Sequence, residues 1–296
     1  MIRPHFFKAN SETAGTNIFQ QVSSDDVSRK AIEEFDHAVN RLRMCGVTVN
    51  IYENENSEAP DAVFPNNWIS FHHNSVAIIY PMMANSRRNE KEKRIIESLE
   101  KSYNIETIVD LSHYEKENKF LEGTGSLVFD HRSKIAYACL SGRTHKELVF
   151  EVCAILGYKP FVFSAFVNEK PLYHTNVMLH VGNKYAIVCL EAITDVKERN
   201  DLRRMLAFTG HEVVPITLSQ LRMFAGNMLE VINKDGKHFT LLSSTAIRTL
   251  HLGEINVIGE SSELLSFDLS TIEQTGGGSI RCMMAEIFCP LKTTVT

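Results

Sequence analysis

No apolar run in this chain approaches the roughly 20 residues needed to cross a bilayer. Its N-terminus also lacks the basic, apolar and small-residue succession of a signal peptide. Membrane and secreted classes are therefore disfavoured, and a cytoplasmic location is expected. Cysteine pairing is missing as well: the six cysteines, at 45, 139, 153, 189, 282 and 289, form no CxxC, and Cys139, Cys153 and Cys189 lie in apolar runs as small core residues do. A disulfide framework or zinc cluster is not expected. Basic excess is absent, since 31 Lys and Arg face 36 Asp and Glu for a net charge of −5, which leaves no electrostatic footprint for nucleic acid. The histidines outside the motifs described below show no metal-ligand spacing, so neither a metal nor another cofactor is expected. No Pro-, Gly- or Ser-rich linker divides the 296 residues, 44% of them hydrophobic. Length alone would allow two domains, but residues 1–296 read as one.

What the chain does have is a period. Asn67, Glu122, His174, Asn227 and Cys282 follow one another at gaps of 55, 52, 53 and 55 residues. Each sits just before or within a β-like run: NNWISF, EGTGSLVF, HTNVMLHV, GNMLEVI and RCMMAEIF. Four lead through a polar or glycine-containing turn into a second apolar run, VAIIY, IAYACL, YAIVCL and HFTLL, which is a hairpin signal. A helical segment and a short strand follow, as in RTHKELVFEVCAILGY and KPFVF, where Leu148, Val152 and Ile155 share one helix face.

A repeated hairpin–helix–strand unit that closes around an axis brings equivalent positions together at the centre. The fold class expected is α/β, a five-bladed α/β propeller. Its fifth unit is split by the termini, with IRPHFF, a helix over DVSRKAIEEFDHAVNRLRMCG and the strand VTVNIYE at one end and the run after Cys282 at the other. Pairing of the N- and C-terminal strands would close the ring and remove two sheet edges.

The centre would then hold a thiol, an imidazole and a carboxylate. Cys282 follows GGGSIR, where three consecutive glycines permit an unusual turn and close approach of a ligand. Alone it reads as a core cysteine, His174 as a structural histidine and Glu122 as a turn residue. Together they fit nucleophilic catalysis, in which an imidazole lowers the thiol pKa or shuttles its proton. His174 and Asn176 lie two apart in an apparent strand, on one face with Met178 and His180.

The strings DAVFPNNW, LEGTGS, YHTN and GGGSIRC, in this order and spacing, resemble the guanidino-group-modifying enzymes of the pentein fold. These include arginine deiminases, dimethylarginine hydrolases and amidinotransferases. The resemblance covers Arg3 to about Pro290 and, with NSETAGTNIFQ near the start, is nearest to the citrulline-utilisation hydrolase branch. It implies a five-bladed propeller, with Cys282 as nucleophile, His174 as general acid and base, and Glu122 as the carboxylate that binds substrate nitrogens and steadies His174. It further implies that Asp61, six residues ahead of Asn67, holds the amino-acid end of the substrate. Arg88 and Arg143 match the two arginines that grip the α-carboxylate, with Arg87 as a stand-in for Arg88. A planar fork suits that task.

The departure from the family is informative. Related deiminases present aspartates to the guanidinium, whereas this chain has Asn67 and Asn176. A buried cation loses heavily when a partner is removed, while a neutral ureido group pairs well with amides. The expected reaction is cysteine-dependent hydrolysis of citrulline to ornithine, CO2 and NH3, with a small amino acid as the partner and homo-oligomerisation left open. Asn67, Asn176 or the backbone N–H groups of Gly277 and Gly278 are candidate oxyanion donors. The alternatives are an arginine deiminase or dimethylargininase, and a non-catalytic pentein binding module. The segment from Lys8 to Gln21 reads as either a lid or an ordinary surface loop.

Overall fold

The computed structural model describes residues 1–21 and 27–292. Four three-stranded sheets repeat one topology: an antiparallel hairpin whose second strand also pairs in parallel with a third. In the first, Ile69–Phe71 pairs with Val76–Ile79, and that strand with Thr107–Asp110. The second is Leu127–Asp130, Ile135–Cys139 and Lys159–Phe163. The third is Leu179–Val181, Tyr185–Val188 and Glu212–Pro215, and the fourth is Leu229–Ile232, His238–Ser243 and Glu263–Phe267. The parallel step needs a crossover. Helices supply it, among them Lys146–Leu156 and Val196–Phe208.

Three of the four middle strands carry no charged or hydroxyl-aliphatic residue, as expected where both faces are covered, while His238–Ser243 includes His238, Thr240 and Ser243. Ile135–Cys139 and Tyr185–Val188 are buried at every residue. The helix Lys146–Leu156 buries Leu148, Val149, Val152, Cys153 and Leu156 and stops at Gly157, whose left-handed backbone caps it. Ile155, expected on the buried face, is only half-buried. The N-terminal helix Val27–Met44 buries Ala31, Phe35, Ala38, Val39 and Leu42, a stripe at three- and four-residue steps. Each of its larger buried side chains contributes about 1.5–3 kcal/mol. Asp26, with which this helix was expected to begin, lies outside the described residues.

The N-terminal strand is short. Ile2–Arg3 pairs in parallel with Tyr52–Glu53. The stretch after Cys282 was expected to be a strand paired with it, and among the described residues it is not. Cys282 lies in a turn, with its N–H donating to Ser279 O at 2.9 Å. The residues beyond make isolated bridges, Ile287 with Phe71 and Leu291 with Tyr103. The two ends meet through side chains instead, since Ile2 and Cys289 belong to one apolar cluster with Trp68 and Phe71. The turn-forming glycines and the short Cys282–Pro290 run favour side-chain closure over a ladder. All six cysteines are free thiols. Among the described residues, no helix is long and apolar enough to cross a membrane.

Candidate active site

Short helical turns, rather than strands, carry the periodic residues into position. Asn67 ends the 3-10 turn Pro65–Asn67, Glu122 precedes the turn Gly123–Ser126, and His174 precedes the 3-10 turn Thr175–Val177. The strands begin only after these turns. The strand expected through His174 and Asn176 is therefore absent, and the two side chains diverge to different partners. A 3-10 turn advances about three residues per revolution, so positions two apart do not share a face.

His174 Nε2 lies 2.8 Å from Glu122 Oε2. Asn176 Nδ2 donates to Cys282 Sγ at 3.5 Å, and Asn227 Nδ2 does so at 3.4 Å. Close approach of these groups requires glycine at 125: a Cβ there would lie 2.5 Å from Asn67 Nδ2 and 2.8 Å from the His174 ring. Gly277 has φ +64°, and a Cβ there would meet Asn17 Nδ2 at 2.4 Å. Its carbonyl accepts from Tyr173 Oη at 3.0 Å.

Glu122 is fully buried and ionised. Burial works against its charge, but Arg143, His174 and Arg87 outweigh that and hold its carboxyl well below the usual carboxylate range. Arg143 Nη1 is 3.3 Å and Arg87 Nη1 3.8 Å from Glu122 Oε2, while Met83 N–H donates to Oε1 at 3.1 Å. Burial lowers the His174 pKa to about 4, with Glu122 pulling the other way. The imidazole is thus neutral near pH 7. With Nε2 turned to Glu122, Nδ1 is the nitrogen left to accept a proton.

Of the two adjacent arginines, Arg87 reaches the site and Arg88 does not. Arg88 is half-buried, donates to the carbonyls of Met82 and Met83 at 3.0 and 3.4 Å, and faces Glu115 at 3.4 Å. Arg87 is buried, bonds both carboxylate oxygens of Glu90 at 2.7 and 2.9 Å, and donates through Nη1 to Asn67 Oδ1 at 2.7 Å. The helical turn Asn85–Arg88 turns neighbouring side chains about 100° apart, so only one can point inward. Arg143 lies over the Tyr173 ring at 4.9 Å.

The N-terminal segment closes the top. Asn10 Nδ2 donates to Asp61 Oδ2 at 2.8 Å, Arg143 Nη2 donates to Thr16 Oγ1, and Asn17 Nδ2 donates to Gly276 O at 3.1 Å. What remains is a cavity of about 20 Å³, lined by Thr13, Asn17, Asp61, Asn67, Arg87, Arg143, Tyr173, His174 and Cys282 among others. That holds about one water molecule. Atoms of this region buried without a hydrogen-bond partner include Asp61 Oδ1, Asn66 Nδ2, Arg143 Nε and Asn176 Oδ1. Among the described residues, no group of His, Cys, Asp or Glu side chains is arranged to hold a metal ion.

Sequence reasoning left Glu90, Tyr173 and Asn17 unassigned, and Asn227 was counted in the period without a role. Tyr173 adjoins His174, and Glu90 stands three residues after Arg87 on a helical stretch, a spacing that favours an ion pair. Asn17 carries no local signal.

A buried thiol, a neutral imidazole and an ionised carboxylate lie on an α/β frame of repeated sheets, the frame of the pentein, guanidino-modifying superfamily. The chain belongs to the family described as N,N dimethylarginine dimethylhydrolase, eukaryotic, whose model matches residues 3–289. No curated protein matches the chain. Among solved structures it is similar to the substrate-bound N-terminal domain of ArgZ, an arginine dihydrolase from the ornithine-ammonia cycle in cyanobacteria. The two share 16% identity and a TM-score of 0.75 over 98% of this chain and 97% of that one. It is also similar to AgrE in complex with L-arginine, at 17% identity and a TM-score of 0.76, covering all of this chain and 40% of the other. A dimethylarginine dimethylaminohydrolase adduct has 16% identity and a TM-score of 0.63 over 86% and 90% of the two chains. The chain spans 40% of the full-length ArgZ and AgrE chains. At these identities the likeness is one of fold.

Proposed function

We propose that this chain hydrolyses the ureido group of L-citrulline, or of a close arginine-like amino acid, to ornithine, CO2 and NH3. The observation that carries the reading is the convergence of Cys282 and His174 on one small cavity, with Glu122 bonded to His174 from behind and the amides of Asn67, which lines the cavity, and Asn176, which bonds Cys282, where related deiminases have carboxylates. The unpartnered Asp61 Oδ1 would take the substrate ammonium, and the unpartnered Arg143 Nε supports a place for the α-carboxylate.

His174, neutral at rest, takes the Cys282 proton, and Sγ attacks the ureido carbon. The tetrahedral adduct collapses as the imidazolium, steadied by Glu122, protonates the departing ornithine nitrogen. An S-carbamoyl group remains on Cys282. One water, deprotonated by His174, releases carbamate and restores the thiol. Carbamate then decomposes to CO2 and NH3. Amide N–H groups of Asn67 or Asn176 stabilise the developing oxyanion. Entry of substrate requires the segment from Lys8 to Gln21 to lift from Asp61 and Arg143, because the cavity is far smaller than an amino acid.

A second reading is conversion of arginine itself to ornithine, with two waters consumed and two NH3 released. The ionised, fully buried Glu122 favours it, as does the similarity to ArgZ and to AgrE bound to L-arginine. Deimination of arginine or dimethylarginine alone is less suited to two amides. Five-bladed closure, a single domain over residues 1–296 and a cytoplasmic location complete the proposal. The repeated sheet topology supports the first of these.

The test is ammonia release from wild-type and Cys282→Ala protein offered L-citrulline, L-arginine, dimethylarginine and N-succinylarginine in parallel, with ornithine and citrulline assayed. Cys282-dependent ornithine from citrulline supports the proposal. Citrulline accumulating from arginine or dimethylarginine would replace it with a deiminase.

A further inference from the structure

Tyr173 stands where three parts of the site meet. Its side chain is buried and lines the small cavity together with Arg143, Gly277 and Cys282. The hydroxyl donates to Gly277 O at 3.0 Å. A carbonyl only accepts, so the phenol keeps its proton, and burial pushes its pKa well above the usual tyrosine value. Gly277 opens the turn that delivers the nucleophile. The next residue, Gly278, packs on Cys282, since a Cβ at 278 would lie 3.3 Å from Cys282 Cβ, and Cys282 N–H closes the turn on Ser279 O at 2.9 Å. Asn17 Nδ2 also reaches Gly277 O, at 3.3 Å, but it belongs to the N-terminal segment. When that segment lifts for substrate, Tyr173 is the donor that stays.

The ring face has a partner of its own. Arg143 Cζ lies 4.9 Å from the ring centroid, within reach of a cation–π contact. The guanidinium is otherwise held by Glu122 at 3.3 Å and by Thr16, and its Nε is buried with no partner. Thr16 departs with the same segment, which leaves Arg143 between Glu122 and the Tyr173 ring. The backbone fixes the two residues in place: Ser141 Oγ donates to Tyr173 O at 2.8 Å and accepts from Arg143 N–H at 3.1 Å.

We infer that Tyr173 is a positioning residue with two separable tasks: its hydroxyl holds the Gly277 turn that sets Cys282, and its ring face holds the Arg143 guanidinium in place for the substrate carboxylate. Both contacts persist while the N-terminal segment is raised. This rests on the reading of the chain as a ureido or guanidino hydrolase. The first task acts on the chemical step and the second on binding, so they separate as kcat and KM.

The test is steady-state kinetics on whichever of citrulline and arginine the wild type converts to ornithine. Tyr173→Phe removes the hydroxyl and keeps the ring: kcat should fall about five- to tenfold, the effect of one buried hydrogen bond, with KM within about twofold. Tyr173→Leu removes both, so kcat should fall as far and KM should also rise about five- to thirtyfold. In an Arg143→Ala background the same leucine should raise KM little further, because the ring acts through Arg143. Phenylalanines of increasing ring fluorination at position 173 lose the negative ring face with little change of size. Across that series KM should climb stepwise from the Tyr173→Phe value while kcat stays level, a reading that holds even where the leucine variant fails to fold. A packing role alone predicts no such split. Wild-type kcat in Tyr173→Phe, or a KM indifferent to fluorination, would overturn the inference. A wild type that converts neither substrate would instead remove the functional reading, and this inference with it.

Discussion

Replacing Glu122 by glutamine keeps the shape of the side chain and removes its charge. In the structure that charge is fully buried and faces His174 Nε2 at 2.8 Å, Arg143 Nη1 at 3.3 Å and Arg87 Nη1 at 3.8 Å. Two effects should follow. Arg143 loses a buried counter-ion, and breaking such a pair from one side costs about 3–5 kcal/mol. At about 2 °C per kcal/mol for a chain of this size, the melting temperature should fall by about 6–10 °C. The imidazolium formed during turnover also loses its counter-charge. Positioned acid–base groups contribute about 10²–10⁴-fold, so kcat should drop by about 100-fold or more while the variant remains folded. Calorimetry and ornithine release on the same preparation check both. A Glu122→Gln protein with kcat within about threefold of wild type and an unchanged melting temperature would refute the assignment of Glu122 as the partner of His174.

Further outcomes are expected. Arg88→Ala should leave kcat/KM within about threefold, because Arg88 faces Glu115 and backbone carbonyls, whereas Arg143→Ala should raise KM about 100-fold through loss of a charge-assisted contact to the substrate carboxylate; steady-state kinetics with citrulline separate the two. The His174 pKa, about 4 when folded against an ordinary 6.5, gives a pH dependence of stability of definite sign. The unfolded chain binds the proton first, so the contribution is complete above about 6.5 and is lost as pH falls towards 4, on the order of 3 kcal/mol. Urea denaturation across that window should show it, and His174→Asn should flatten the slope. Thr16→Val removes the hydroxyl that Arg143 bonds in the closed segment; it should raise protease sensitivity between Lys8 and Gln21 in limited proteolysis without lowering the melting temperature by more than about 2 °C.

Much of this frame was legible because a period of about 55 residues carries information that single segments do not. The hairpins after Asn67, Glu122, His174 and Asn227 form as read, since turn residues and apolar runs act locally. The joints were less readable. Apolar composition made NNWISF and HTNVMLHV look like strands from their first residue, but the backbone turns once before each ladder, which is what aims Asn67 and His174 inward. The choice between Arg87 and Arg88 depended on the phase of a four-residue helical turn, and spacing does not fix that. Glu90 stands in the mixed-charge run RRNEKEKR, whose composition gives no sign of burial, although it is fully buried against Arg87. Asn17 bonds carbonyls about 260 residues away, and only the fold brings them together.

The central claim is a covalent intermediate on Cys282, and mass spectrometry tests it most directly. Wild-type protein mixed with citrulline and quenched in acid during turnover should carry one carbamoyl group on the peptide containing Cys282, and Cys282→Ser should carry none under the same conditions. Steady release of ornithine from citrulline with no adduct on that peptide, or undiminished release by Cys282→Ser, would contradict the account.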